Sequence, residues 1–263
     1  MESKLKLREI ELSVEIELTS TLISLGEFCR EFETSIKNNI ELLQKEDYRT
    51  EFKSLRKLIS DKRLNLNIEV LDSIDDENLS KEELLLYKLV ESGLYSLKVI
   101  PFYRMSVVYS FSLFEGFLKD CLTEVFLYKT EILKKRSKSI DYEILFDFQN
   151  LNDMKFYIVT KEVEKIGYMN IDEINDYLKT IFNIRLNKMK EWEDFRENYY
   201  RRNVIVHNNS RISELYAKKL NLSNEKIGKT IHSDLEYAEN CIRNTLNYIS
   251  FIRRQITKNL KLD

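Results

Sequence analysis

The chain has 263 residues, enough for one large domain or two small ones, and its net charge of −2 makes it no general polycation. A charged fraction of 33% beside a hydrophobic fraction of 43% excludes a disordered chain. Glycine occurs five times and proline once. Helix interiors exclude both residues, whereas turns and sheet edges use them. The composition therefore predicts an all-α protein of long helices joined by short polar turns.

The cysteines and the hydrophobic stretches exclude further classes of protein. Cys29, Cys121 and Cys241 lie far apart and match neither a disulfide framework nor a metal motif, so we interpret them as buried thiols. No phosphate-binding loop, dinucleotide glycine motif or histidine cluster is present, so we expect no cofactor and no metal. The first residues are charged throughout, and no stretch of about 20 apolar residues occurs. We therefore expect a cytoplasmic protein that does not bind membranes.

In the N-terminal part, apolar residues spaced three and four apart predict a long helix over residues 4–45. A short helix is predicted over 48–59, and the acidic stretch within 61–79 is typical of a loop. Ser80 and Glu83 form a capping signature for a helix over about 81–99. Because proline disfavours helical geometry at the preceding residue, we expect a break at Ile100 and a new helix from Pro101.

The C-terminal part shows the strongest helical pattern. The helix over about 101–135 is the most apolar and is predicted to be central; it ends in the basic run Lys134, Lys135 and Arg136. These cations suit a helix C-terminus, and they equally suit an RNA path. Asn170 and Glu173 form a second capping signature. The remaining helices are predicted over 152–166, 171–181, 185–206 and 230–258.

One stretch, YYRRNVIVHNNSR at residues 199–211, contains residues suited to chemistry. Histidine exchanges a proton near neutral pH, arginine holds a phosphate, and asparagine orients either group. On a helix Asn203 and His207 share a face, whereas Arg202 and His207 lie roughly 140° apart. A structural interpretation is also open, because histidine and asparagine both suit the last turn of a helix.

The segment RRNVIVHNN resembles the Arg-x4-6-His motif of the HEPN superfamily (the higher eukaryotes and prokaryotes nucleotide-binding domain), with four residues between Arg202 and His207. Asn203 matches the polar residue that often follows the arginine there. The helix YSFSLFEGFLKDCLTEVF resembles the helix that opens many of these domains, and Glu115 matches a frequent acidic position. The resemblance covers roughly residues 95–263. This part of the chain is similar to RiboL-PSP-HEPN-like or abortive-infection-like ribonucleases.

The resemblance implies a helical bundle of HEPN type over residues 95–263, with residues 1–94 as an N-terminal helical extension. It also implies a metal-independent endoribonuclease that leaves 2′,3′-cyclic phosphate and 5′-hydroxyl ends. The expected catalytic residues are Arg202, His207, Asn203 and Glu115, where Glu115 fixes Arg202 or the imidazole, or is only a salt-bridge partner. The expected RNA-binding residues are Arg201, Asn208, Lys134, Lys135 and Arg136.

The partners implied by the resemblance are RNA, a second subunit that completes a composite active site, and an antitoxin or regulatory protein. The family places such enzymes in bacterial toxin–antitoxin or anti-phage defence. Many of the toxins have tyrosine two residues after the histidine, where this chain has Asn209, so inactivation by modification of that tyrosine is not implied. The alternative function is a non-catalytic HEPN-like module for dimerisation or for binding a protein or RNA.

Overall fold

The computed structural model describes residues 2–43, 79–134 and 141–261, and these are helical apart from turns and one isolated antiparallel bridge between Arg211 and Thr230. The all-α class is therefore confirmed. No described helix is long and apolar enough to span a bilayer. The helices are α1 (Glu2–Leu43), α2 (Leu79–Tyr128), α3 (Glu131–Lys134), α4 (Tyr142–Phe146), α5 (Leu151–Glu164), α6 (Ile171–Phe182), α7 (Trp192–His207), α8 (Glu214–Lys219) and α9 (Leu235–Leu260).

The chain divides into two compact units, of which the first combines Met1–Leu22 with Arg104–Asp263. The second unit is Ile23–Tyr103. Within it, the Phe28 and Phe102 rings lie 4.8 Å apart, and the Cys29 thiol lies 3.3 Å from the Tyr103 hydroxyl. All four expected catalytic residues belong to the first unit. The assignment of residues 1–94 to an extension stays a prediction.

The core of the first unit forms where α2, α7 and α9 meet around Phe195. Its ring stacks on Tyr248 of α9 at 3.9 Å between centroids, and it contacts Phe111 and Phe114 of α2 at 5.3 and 5.1 Å. All four rings are fully buried. Large buried aromatic side chains contribute heavily to stability. Replacing one by alanine typically lowers the free energy of unfolding by about 3–5 kcal/mol. This cluster fixes α7, which carries the candidate motif, against two long helices.

The predicted break at Ile100 and Pro101 is wrong, because α2 runs through both residues without interruption. Proline removes one N–H from the helical ladder and leaves the carbonyl four residues earlier without its usual partner. Pro101 itself is exposed, so its ring lies on the solvent side of α2. The predicted helix to residue 135 ends earlier, at Tyr128, and the separate turn α3 follows.

Two other helices begin later than the sequence predicts. The helix predicted over 185–206 begins only at Trp192, after a short 3₁₀ turn at Leu186–Lys188. The last helix begins at Leu235, because residues before it pair with the chain after α7. The helix α8 was not predicted. The predicted helix over 48–59 and most of the predicted loop over 61–79 lie outside the described residues.

The start of α6 is built as its sequence predicts. The Asn170 side chain accepts hydrogen bonds from the N–H groups of Asp172 and Glu173, and the Glu173 carboxylate accepts one from the Asn170 N–H. Asp172, in the first turn, then connects three helices. Its carboxylate accepts hydrogen bonds from Arg196 and Tyr200 of α7 and from Lys219 of α8. This network ties α6 and α8 to the helix that carries the motif.

Asp172 gives the first testable prediction. Burial tends to raise its pKa, but hydrogen bonds from Arg196, Lys219 and Tyr200 outweigh burial and lower the pKa from 3.8 to about 2. A lowered carboxyl pKa stabilises the fold above the usual value, and this contribution is lost as pH falls through the folded-state value. The free energy of unfolding at neutral pH should therefore be higher for wild type than for Asp172→Asn. This difference should shrink as the pH falls from about 4 to about 2.

Urea unfolding followed by circular dichroism measures this difference across the pH range. Asp176→Asn is the matched control, because Asp176 is exposed on the same helix. A difference between wild type and Asp172→Asn that stays constant across the window would contradict the network.

A buried carboxylate joins α1 to α9 within the first unit. Glu11 is fully buried and forms ion pairs with Arg8 and Arg253. The Ser250 hydroxyl donates to Glu11 Oε1 at 2.8 Å and also contacts Glu15 at 3.2 Å. A buried charge is stable only when it is paired and hydrogen-bonded. The N-terminal turns of α1 are therefore attached to α9 by specific polar contacts.

Candidate active site around Arg202

The helix α7 positions the predicted site residues and ends at His207. The cap residue Asn208 donates its backbone N–H to the carbonyl of Val204, and Asn209 and Ser210 then adopt left-handed backbone angles that turn the chain away. His207 is exposed at this end of the helix. The fold therefore presents His207 to solvent.

Arg202 is held by two residues. Its Nη2 donates to both carboxylate oxygens of Glu115 on α2, at 3.0 and 3.1 Å, and its Nη1 donates to Oδ1 of Asn203 at 2.9 Å. The Arg202 and Glu115 side chains keep 17% and 21% of their surface exposed, so the pair is partly screened from water. Of the roles considered for Glu115, the structure shows contact with Arg202. The guanidinium is thus fixed in orientation and still borders solvent.

The surroundings of Arg202 are polar but incompletely satisfied. Its Nε is buried, and among the described residues no acceptor bonds to it. Leaving a buried donor unsatisfied typically costs about 1–3 kcal/mol. One turn earlier, the Tyr199 hydroxyl donates to the Met169 carbonyl at 3.0 Å. Burial and the nearby Glu115 carboxylate raise the pKa of Tyr199, so it remains a neutral neighbour of the pair.

Asn203 contacts Arg202 and shares a helix face with His207. Arg202 and His207 lie about 140° apart around α7 and are separated by about 7.5 Å along its axis. No hydrogen bond joins these two side chains in the part of the chain that the structure describes. Asn203 contacts Arg202 directly and lies one turn before His207 on the same helix face. Asn203 therefore lies beside the half-buried guanidinium and on the same helix face as the exposed imidazole.

Arg201 lies in a different environment from Arg202. Its Nε donates to Glu197 at 2.7 Å, its Nη1 donates to the His232 carbonyl at 3.0 Å, and its guanidinium stacks 3.8 Å from the centre of the Tyr237 ring. These contacts give Arg201 a structural task, connecting α7 to the start of α9. Because these contacts already engage the guanidinium, they do not favour binding of RNA by Arg201. The expected RNA contact stays a prediction.

Glu197, the partner of Arg201, is the centre of a second hydrogen-bond network, which was not predicted from the sequence. It also accepts hydrogen bonds from the hydroxyls of Tyr216 and Tyr237. Burial and the negative charge of Glu197 raise the pKa of both tyrosines, so both remain donors. The spacing of Glu197 and Arg201, four residues apart on one helix, was the signal that could have identified their ion pair.

A cavity of about 600 Å³ adjoins this second network, not the Arg202 site. Its polar lining includes Glu193, Asp194, Glu197, Arg201, Tyr216 and His232. Neither Arg202 nor His207 lines it. The chemistry expected of those two residues therefore depends on the open surface at the end of α7.

Of the other predicted RNA-binding residues, the structure describes Asn208 and Lys134. The Asn208 side-chain amide donates to the Arg211 carbonyl, which fixes the turn after His207. Lys134 is exposed at the end of α3, whereas Lys135 and Arg136 lie outside the described residues. Across residues 2–43, 79–134 and 141–261, no group of three or more His, Cys, Asp or Glu side chains is placed to hold a metal ion.

Three comparisons bear on relatives of this chain. No family model matches it, and neither the curated proteins nor the solved structures contain a significant match. The comparisons therefore neither support nor oppose the resemblance to the HEPN superfamily.

Proposed function

We propose that the protein is a metal-independent endoribonuclease in which Arg202 and His207 act on one phosphodiester. The observation that carries the proposal is the held, half-buried guanidinium of Arg202 on the same helix as the exposed His207. Arginine fixed by Glu115 and Asn203 loses little conformational freedom when a phosphate arrives. Preorganised donors of this kind stabilise charge that develops in a transition state.

The proposed reaction is attack by a ribose 2′-hydroxyl on the adjacent phosphorus. The bond from phosphorus to the 5′-oxygen breaks, leaving a 2′,3′-cyclic phosphate and a 5′-hydroxyl. One imidazole takes the proton of the 2′-hydroxyl, and a protonated imidazole gives a proton to the departing 5′-oxygen. The guanidinium of Arg202 stabilises the negative charge on the phosphorane-like transition state.

A second copy of the chain supplies the second imidazole in this proposal. One His207 cannot hold and release a proton at both oxygens in the same step, whereas two copies related by a two-fold axis can bring their His207 residues together. The exposure of His207 at the end of α7 leaves it accessible to such a partner. A bundle of HEPN type and a role in toxin–antitoxin or anti-phage defence belong to the same proposal through the resemblance.

The experiment that tests the function uses wild-type protein, excess EDTA and two matched oligonucleotides. One oligonucleotide is RNA, and the other carries 2′-O-methyl groups and lacks the nucleophile. We expect cleavage of the RNA alone, with 2′,3′-cyclic phosphate and 5′-hydroxyl ends identified by mass spectrometry. Cleavage that requires added Mg²⁺, or products with 5′-phosphate ends, would contradict the mechanism. Intact RNA at every enzyme concentration would favour the non-catalytic module.

A further inference from the structure

The segment that follows His207 forms a loop whose two ends are joined by backbone hydrogen bonds. The N–H of Ile212 donates to the Lys229 carbonyl at 2.9 Å, and the N–H of Ile231 donates to the Ser210 carbonyl at 2.7 Å. Arg211 and Thr230 therefore form a non-hydrogen-bonded antiparallel pair, in which the two side chains stand side by side. We call residues 211–230 the basic segment.

The charge of the basic segment opposes that of the whole chain. It contains five basic and two acidic residues, a net charge of +3, whereas the complete chain has −2. Lys219 forms an ion pair with Asp172. The other four cations are all exposed, and among the described residues no acidic group pairs with any of them: Arg211, Lys218, Lys226 and Lys229.

The backbone places one of these cations beside the proposed catalytic histidine. The Arg211 N–H donates to the Asn208 carbonyl at 2.9 Å, and the Asn208 side chain donates back to the Arg211 carbonyl. Arg211 is therefore fixed within one turn of the chain from His207. A phosphate next to the one that reacts at His207 lies within reach of such a side chain.

Two side-chain contacts attach the basic segment to the helix that bears the site. Tyr216 donates to Glu197 of α7, and Lys219 contacts Asp172, which also binds Arg196 of α7. The short helix α8 within the basic segment is therefore attached to its neighbours before any ligand binds. Such preorganisation lowers the conformational entropy lost on binding.

We infer that the basic segment binds the sugar-phosphate backbone of a single RNA strand next to the cleavage position. This inference rests on the proposed function and assigns its substrate-binding surface. A single strand is favoured over a duplex, because the 2′-hydroxyl must rotate into line with the departing 5′-oxygen. Contacts of this kind neutralise phosphates and release counterions, so they are independent of base sequence and weaken with salt.

The test measures binding as a function of salt, with a probe that cannot be cleaved. A fluorescein-labelled 2′-O-methyl oligouridylate is titrated with full-length protein at increasing KCl, and anisotropy gives the observed association constant. The test variant is Arg211→Gln, Lys218→Gln, Lys226→Gln and Lys229→Gln combined. For single strands the slope of log K against log [KCl] changes by about 0.7 for each phosphate contact. Loss of four contacts should flatten the slope by about 2–3.

The matched control removes one arginine and three lysines at or just after the C-terminal ends of α6 and α9. Lys179→Gln, Arg185→Gln, Lys258→Gln and Lys261→Gln combined changes the net charge equally, and all four residues are exposed. Asn259 contacts the Phe182 carbonyl, so these residues cluster around the ends of α6 and α9. Circular dichroism verifies that both variants keep the helical fold. The control should retain the wild-type slope.

The outcomes separate the inference from the function on which it rests. A flattened slope for the test variant alone supports the basic segment. Equal slopes in wild type and test variant, or equal flattening in test and control variants, overturn it, while cleavage of RNA by wild type leaves the ribonuclease proposal intact. Absence of both RNA cleavage and probe binding in wild type at low salt overturns both proposals.

Discussion

Replacing His207 by alanine is expected to slow RNA cleavage by about 10²- to 10⁴-fold, the range that a general acid or base typically contributes. The physical reason is the loss of the imidazole that the proposal uses to move protons at the 2′- and 5′-oxygens. The helical fold should persist, because His207 is exposed at the end of α7 and its side chain forms no ion pair with another described residue. Single-turnover cleavage of a labelled RNA measures the rate.

The chain contains a matched control for this substitution. His232 is the other histidine of the sequence, and it is also exposed. Its backbone carbonyl contacts Arg201, but a side-chain replacement leaves that carbonyl in place. His232→Ala should therefore cleave RNA at the wild-type rate. Equal rates for wild type and His207→Ala would exclude His207 from the reaction.

Replacing Glu11 by alanine is expected to lower the free energy of unfolding by about 3–5 kcal/mol, as for other buried ion pairs that lose one partner. The substitution leaves Arg253 without its buried carboxylate and the Ser250 hydroxyl without one acceptor. The empty volume of the removed side chain adds to the loss. Urea unfolding followed by circular dichroism measures the effect.

The comparison variant is Glu9→Ala, two residues earlier on the same helix, where the side chain is exposed. A surface substitution of this kind usually changes stability by no more than about 0.5 kcal/mol. Similar unfolding midpoints for the two variants would show that Glu11 is not a buried partner of Arg253. A large difference would establish that the first turns of α1 belong to the folded core.

Local sequence signals predicted the features that depend on neighbouring residues. The capping box of Asn170 and Glu173 forms in the structure, because both hydrogen bonds close within one helical turn. The burial of all three cysteines was also predicted from their residue type and spacing. Pro101 was misjudged, because the rule for proline considers the local backbone, whereas a long helix tolerates one missing hydrogen bond.

In the candidate site, too, the local sequence predicted some features, whereas contacts between distant residues could not be predicted from it. The motif placed Arg202, Asn203 and His207 on one helix, and helix geometry gave the shared face of Asn203 and His207. The contact between Glu115 and Arg202 joins residues 87 positions apart, so no spacing rule predicts it, and only the resemblance suggested it. Arg201, the neighbour of Arg202 in the sequence, was predicted to bind RNA. Adjacent residues on a helix point about 100° apart, and each therefore has a separate set of partners.

The position of the one tryptophan has a practical consequence. Trp192 is the first residue of α7, and His207 is the last, about 22 Å away along the helix axis. Intrinsic fluorescence excited at the indole band therefore reports on the very helix that holds the motif, without a label and without contact with the substituted histidine. When its unfolding curve coincides with that from circular dichroism, α7 unfolds together with the rest of the protein. An earlier fluorescence transition would instead identify this helix as a separately melting part of the chain.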